Sequence, residues 1–281
     1  MKKKVLVTGA NGYIGRHVVK TLLDMGCEVD ACDIKFDEVD IRANKVQVPI
    51  FSGDEDIYNK LGNPDICIHL AWRDGFIHNS NAHMEDLSKH YTFIKNMIDG
   101  GLKNLSVMGT MHEVGYWEGA IDENSITKPL SMYGIAKNSL RQAIELYSNN
   151  KDVSFKWLRA YYILGDDLKS NSIFSKIIKM EQEGHKKFPF TTGKNKYDFI
   201  EIDELSNQIA IASLQNDIDG IINCCSGEPI ALADKVEEFI KRNNFNIELE
   251  YGAYPDRPYD SPAVWGDNTR IKYILKNYDR I

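Results

Sequence analysis

The chain has 281 residues, 43% apolar and 27% charged, which is room for one large α/β domain with a small companion. Its net charge of -7 argues against nucleic-acid binding, which wants a basic face, but leaves room for a locally basic pocket and an anionic ligand. Five cysteines, Cys27, Cys32, Cys67, Cys224 and Cys225, form no CxxC pair and read as buried free thiols of a reducing cytoplasm.

Lys2-Lys3-Lys4 opens the chain like the charged start of a secretory signal. Only Val5-Leu6-Val7 follows before Thr8-Gly9, too short for export. No run approaches the ~18 apolar residues of a membrane helix, so a cytoplasmic protein without a membrane partner is expected. Lys4–Thr8 reads as a strand, and Tyr13–Met25 carries Ile14, Val18 and Leu22 at helical spacing. Glu28–Asp33 is a second strand and Val46–Phe51 a weaker third. Ile66–Ala71 is a continuous apolar run, as in a strand buried on both faces. Then come a helix over Met84–Gly100, a strand over Asn104–Met108, a long helix over Met132–Asn149 and a strand over Ser154–Arg159. This rhythm predicts a Rossmann-type, doubly wound parallel sheet.

After Gly165 the pattern loosens. Ser172–Gly184 is a helix, Phe188–Asn195 a loop or hairpin, Asp203–Gln215 a helix that packs back on the sheet, and Ala231–Asn243 a further helix. Pro255, Pro258 and Pro262 mark an irregular end. The expected organisation is a Rossmann domain over 1–165, joined by 196–225, with a small C-terminal substrate-binding cap from 166–195 and 226–281.

Between the first strand and helix lies Gly9-Ala10-Asn11-Gly12-Tyr13-Ile14-Gly15. Gly9 permits a tight turn, Gly12 lets the backbone approach a pyrophosphate, and Gly15 lets helix and strand close up. The helix N-terminus adds free N–H groups and a positive dipole end. Asp33, at the end of the second strand, can accept from ribose hydroxyls and repels a 2′-phosphate. NAD is therefore expected, and Lys35 nearby keeps NADP open. Asp54, after the third strand, is a further candidate near the adenine.

Tyr133 and Lys137 lie one helical turn apart on one face. An unperturbed phenol is a poor acid or base at neutral pH, and a neighbouring ammonium lowers its pKa. Thr110, just past a strand, can hold a substrate oxygen beside the tyrosine. His78, His83 and His90 fit no zinc spacing, and no metal is expected.

These residues, with His69-Leu70-Ala71, Leu158-Arg159, Tyr197-Asp198-Phe199-Ile200, Asn223 and Ser226-Gly227-Glu228, give the chain its likeness: it resembles the extended short-chain dehydrogenase/reductases that act on nucleotide-linked sugars. The resemblance implies Thr110 as the group that polarises the sugar oxygen, Tyr133 as general acid/base, and Lys137 on the nicotinamide ribose. The turn residues with Leu70 and Ala71 then line the cofactor. It also implies a homodimer through the two long helices. Family dehydratases follow the threonine with Asp-Glu; here stand Met111-His112, so 4,6-dehydration is not expected. His112 reads either as a proton shuttle or as a hydrogen-bonding residue. Tyr197 replaces the arginine that usually grips the substrate diphosphate, leaving Lys194, Lys196 or Arg257 as substitutes. Trp72, Arg73 and Tyr162 are further candidates for the sugar and phosphate. The leading expectation is a reductase or dehydrogenase of a 4-keto-6-deoxy nucleotide sugar. A nucleotide-sugar 4-epimerase with tightly bound NAD is the alternative, and a non-catalytic cofactor sensor the minor one.

Overall fold

A computed structural model of the chain describes residues 2–165, 172–256 and 260–278. The first half runs β1 (Lys4–Thr8), α1 (Tyr13–Asp24), β2 (Glu28–Cys32), β3 (Asn44–Val46), α2 (Ile57–Lys60), β4 (Ile66–His69), α3 (Ala82–Gly100) and β5 (Asn104–Thr110). A 3₁₀ turn, Met111–Glu113, leads to β6 (Gly119–Ile121), α4 (Met132–Ser148), β7 (Ser154–Ala160) and β8 (Tyr162–Leu164). The rest comprises α5 (Ile173–Gln182), β9 (Lys187–Pro189), β10 (Lys196–Glu201), α6 (Ile202–Leu214), β11 (Gly220–Cys224), β12 (Pro229–Ala231), α7 (Leu232–Arg242), β13 (Glu248–Glu250), β14 (Ala263–Gly266) and α8 (Thr269–Asn277).

The main sheet has seven parallel strands in the order β11-β7-β5-β4-β1-β2-β3. Strand order reverses between β1 and β4, and a crevice opens there beyond the strands' carboxyl ends. Alternation along each strand feeds two cores. Val5, Val7, Ile66, Ile68 and Leu158 face α1, α6 and α8, where they meet Val18, Leu22, Leu205, Ile209 and Ile271. Leu6, Cys67, Leu105, Val107 and Trp157 face the other side and meet Ile57, Phe93, Met97, Leu140 and Ile144 of α2, α3 and α4. Burial on both faces is why these strands read as continuous apolar runs. All five cysteines are free thiols; Cys27 is half-buried and the other four are buried.

The third strand departs from the sequence expectation. It occupies Asn44–Val46, not Val46–Phe51. Val46 is its last residue paired to β2, and Pro49, which has no N–H for the ladder, accepts from Ser52 in a turn (3.2 Å). Of the loop or hairpin expected over 188–195, the loop is found from Phe190 on, while β9 pairs in parallel with the distant β13. A smaller sheet, β12-β10-β14-β6, sits beside the carboxyl ends, with β8 on the other half of β10. It carries its own core, in which Leu164, Phe174, Ile177, Phe188, Phe199 and Val236 are buried together. Among the described residues no helix is long and apolar enough to cross a membrane.

Candidate active site

The glycine turn is shaped by contacts between backbones. Gly9 has φ +70°, and a Cβ there would stand 2.6 Å from the Ala71 nitrogen, against the Leu70–Ala71 peptide at the end of β4. A Cβ on Gly15 would stand 2.0 Å from the Gly9 carbonyl oxygen. Turn, α1 and β4 therefore touch without intervening side chains. Gly12 forms the N-cap of α1 and no side chain caps it, which leaves a cradle suited to phosphate oxygens. Asp33 is anchored beside the turn: Oδ2 accepts from the Asn11 N–H (2.9 Å) and Oδ1 from the Ile34 N–H (2.7 Å). The Asn11 Oδ1 in turn accepts from the Glu38 N–H (2.8 Å). Asp54 has partners of its own after β3. Its carboxylate is engaged by Lys60 and by the Asp56 N–H (2.9 Å), and its carbonyl accepts from Asn96 of α3 (3.0 Å).

The candidate catalytic side chains come together across the crevice. Thr110 ends β5 in extended backbone, and its Oγ1 accepts from the His112 N–H (3.3 Å), starting the 3₁₀ turn. Ser131 caps α4 through the Gly134 N–H (3.1 Å) and so fixes where Tyr133 enters. The Tyr133 N–H donates to the His78 carbonyl (2.8 Å), tying the helix to the loop after β4. Lys137 is buried, and its Nζ donates to the Met108 carbonyl (2.7 Å).

One expectation is corrected here. Lys137 does not depress the Tyr133 pKa in this arrangement. Burial pushes the phenol up to about 12, the Thr110 hydroxyl pulls it back, and Glu113 raises it. The ammonium is held instead by Met108 and lies 5.9 Å from the phenol ring centre. Burial lowers Lys137 itself to about 7, against the pull of Glu113.

Sequence reasoning singled out His112 but missed the imidazoles that gather with it around this pair. His78 stacks on Tyr133 (5.5 Å between centres, 11° between planes), and His83 (5.2 Å) and His112 (6.2 Å) flank it. His78 and His112 lie 4.3 Å apart. Burial holds both below the usual histidine range, His112 at about 4. Deeper down, Thr8 Oγ1, His69 and His90 form a hydrogen-bonded row (2.7 and 2.9 Å), and both rings are kept neutral by burial. The clustering of His78, His83 and His90 along the chain was the available signal. It was set aside because it matched no metal spacing, and among the described residues no group of three such ligands is placed to hold a metal.

Two buried polar centres explain motifs that had no stated physical role. Glu113 and Arg159 are fully buried and paired (2.6 Å), and Glu113 also accepts from the Trp157 indole (2.8 Å). This pins the 3₁₀ turn beside Thr110. Asp198, fully buried, accepts from the N–H groups of Ser226, Gly227 and Gly266 (2.9, 2.9 and 3.0 Å) and joins the small sheet to the loop after β11.

Of the remaining candidates, Trp72 joins the pocket and the others lie apart from it. Arg73 is paired with Asp86 (2.9 Å) and Glu85 (3.2 Å) at the start of α3. Tyr162 packs on Tyr197 (4.6 Å) and Phe199 (5.8 Å), so the position of the usual arginine is filled by an aromatic pair. Trp72 stacks on His90 (4.4 Å) and donates to His83 Nδ1 (3.0 Å). Lys194 and Lys196 are exposed, and Arg257 lies outside the described residues.

Known proteins resemble this chain in sequence and in fold. Residues 5–225 match the NAD dependent epimerase/dehydratase family. The chain is 45% identical, over 93% of its length and 98% of the relative's, to a dTDP-6-deoxy-L-talose 4-dehydrogenase (NAD(+)) of Aggregatibacter actinomycetemcomitans. It is 20% identical to a GDP-6-deoxy-D-talose 4-dehydrogenase of the same organism, over 98% of this chain and 92% of that one. Its fold superposes on UDP-N-acetylglucosamine 4-epimerase from Methanobrevibacter ruminantium M1 with TM-score 0.84 and 20% identity, covering 98% and 92% of the two chains. The cradle at Gly9, Gly12 and Gly15, with Asp33 beside it, fits the dinucleotide that the family uses. The chain belongs to the NAD dependent epimerase/dehydratase family and is an NAD-dependent enzyme.

Proposed function

We propose that the protein is a 4-dehydrogenase of a nucleotide-linked 6-deoxyhexose, interconverting the 4-hydroxyl and the 4-ketone, with deoxythymidine diphosphate as the carrier. The observation that carries this reading is the 45% identity, over nearly the whole of both chains, to an enzyme named for that reaction. The gathering of Thr110, Tyr133 and Lys137, with Met111-His112 directly after Thr110 where family dehydratases carry Asp-Glu, supports it.

In this reading Gly9, Asn11, Gly12, Tyr13, Ile14 and Gly15 hold the pyrophosphate, and Asp33 receives the adenosine ribose and selects NAD over NADP. When bound, NAD supplies the acceptor or donor of hydride at the sugar carbon. Thr110 orients the sugar oxygen. Tyr133, protonated at rest, gives its proton to the ketone oxygen on reduction, and the phenolate so formed takes the hydroxyl proton back on oxidation. Lys137, its ammonium held by the Met108 carbonyl, binds the nicotinamide ribose. His112 and His78, neutral and side by side, hydrogen-bond the sugar. Segments 166–195 and 226–281 act as the cap that selects the nucleotide, with Lys194, Lys196 or Arg257 taking the diphosphate. We place the enzyme in the cytoplasm as a homodimer through α3 and α4, where Met84, Ile135 and Leu146 are exposed apolar side chains.

The test is absorbance of the reduced cofactor with NAD or NADP and a panel of nucleotide-linked sugars. NADH should form with a dTDP-linked 6-deoxyhexose and not with dTDP-glucose, and the 4-ketone should consume NADH. Inversion at C4 with retained NAD and no net turnover would make it an epimerase. Silence with every sugar would remove the dehydrogenase reading.

A further inference from the structure

A buried ammonium needs partners that keep it charged and in place. Among the described residues Lys137 has one hydrogen bond, to the Met108 carbonyl (2.7 Å). Its other close neighbour is the Trp72 indole, whose ring centre lies 3.8 Å from Nζ. That is close for a cation over an aromatic face, and the site is shielded from water. The indole is itself held from two sides. Its N–H donates to His83 Nδ1 (3.0 Å), and His83 Nε2 bonds the Ile77 carbonyl (3.0 Å). Since Nδ1 accepts, the His83 proton sits on Nε2. His90 stacks on the indole at 4.4 Å with 16° between planes, and through His69 the row ends on Thr8, the residue before Gly9.

We propose that Trp72 is the positioning residue of Lys137: the indole face receives the ammonium, and His83 and His90 hold the indole. The assignment differs from a sugar-binding wall, because the ring is already engaged by a cation and an imidazole. It rests on Lys137 serving the reaction proposed above.

The titratable groups facing the ammonium are Glu113 from the 3₁₀ turn, Tyr133 from α4, His69 from β4 and His90 from α3. The two imidazoles are neutral, and the phenol stays protonated at neutral pH. Replacing Trp72 therefore changes the ammonium's surroundings without adding or removing a charge.

Calorimetric titration of NAD into the full chain across neutral pH reads Lys137 without any sugar. The wild type should show a transition near pH 7 that Lys137→Met lacks. In Trp72→Leu the transition should move down by about one pH unit, and affinity at neutral pH should fall about tenfold. Trp72→Phe keeps an aromatic face and should recover most of the shift. Should Trp72→Leu fail to fold, indole emission decides: the wild type minus Lys137→Met should follow the same transition. An unmoved transition in Trp72→Leu, a Trp72→Phe protein displaced as far, or an emission blind to Lys137 overturns the proposal. If the shift is seen while every sugar is inert, the positioning role stands and the proposed reaction falls.

Discussion

The two ends of the crevice are built from different material. The phosphate turn is made of backbone, with Gly9, Gly15 and the Leu70–Ala71 peptide in direct contact. The reaction pocket is made of side chains from four separate places: the loop after β4, α3, the 3₁₀ turn after β5, and α4. A backbone site tolerates almost no change in shape, because it has no side-chain rotamer to give way. A side-chain site tolerates changes of shape but not of chemistry, because each group has one task. Substitutions at the two ends should therefore fail differently.

The largest effect should come from the side-chain end. Tyr133→Phe removes only the oxygen proposed to carry the proton and keeps the ring that stacks on His78. Turnover should fall about 10²–10⁴-fold, with NAD affinity and thermal midpoint close to wild type. A large loss of stability would mean that the phenol oxygen holds the fold, and the contrast between the two ends would fail. Gly15→Ala is the counterpart. Alanine favours helix, yet its Cβ would stand 2.0 Å from the Gly9 oxygen. Denaturant unfolding should show a loss of about 1–3 kcal/mol, and NAD binding should weaken with it. A neutral outcome would show that α1 can move away from the Gly9–Ala10 turn.

The same contrast explains what could be read from the chain. The glycine turn is local, so spacing, flanking strand and flanking helix all lie within β1 to α1 and could be assigned together. Most of the parallel sheet was legible for a similar reason, since strands buried on both faces leave apolar runs, but β11 (Gly220–Cys224) was not assigned as a strand. β3 was misplaced because apolar Val48 and Ile50 outweighed the missing donor of Pro49. The parallel pairing of β9 with β13 leaves no local trace, since the partner lies some sixty residues on. The histidine ring failed to appear for a different reason. His78, His83 and His90 meet His69 and His112 only after β4 and β5 have been laid side by side. Arg159 could be quoted as part of a motif, but the reason for it, Glu113 fully buried against it, depends on the pairing of β5 with β7.

The smallest effect, and the most selective for the side-chain end, is the response to acid. His112 is held at about 4 and His90 at about 3, against 6.5 for an unburied imidazole. Burial keeps both neutral in the folded chain, whereas the unfolded chain binds their protons below about pH 6.5. Their contribution is therefore fully present above the unfolded value and is lost as pH falls toward the folded values. Urea unfolding midpoints should drop between pH 6.5 and about 4, with His112 contributing about 1 kcal/mol after solvent screening at its half-buried ring. His112→Gln has no proton to gain in this range and should flatten the curve, while Gly15→Ala should lower it evenly without changing its slope. A curve equally steep in His112→Gln would place the acid-sensitive groups outside the reaction pocket.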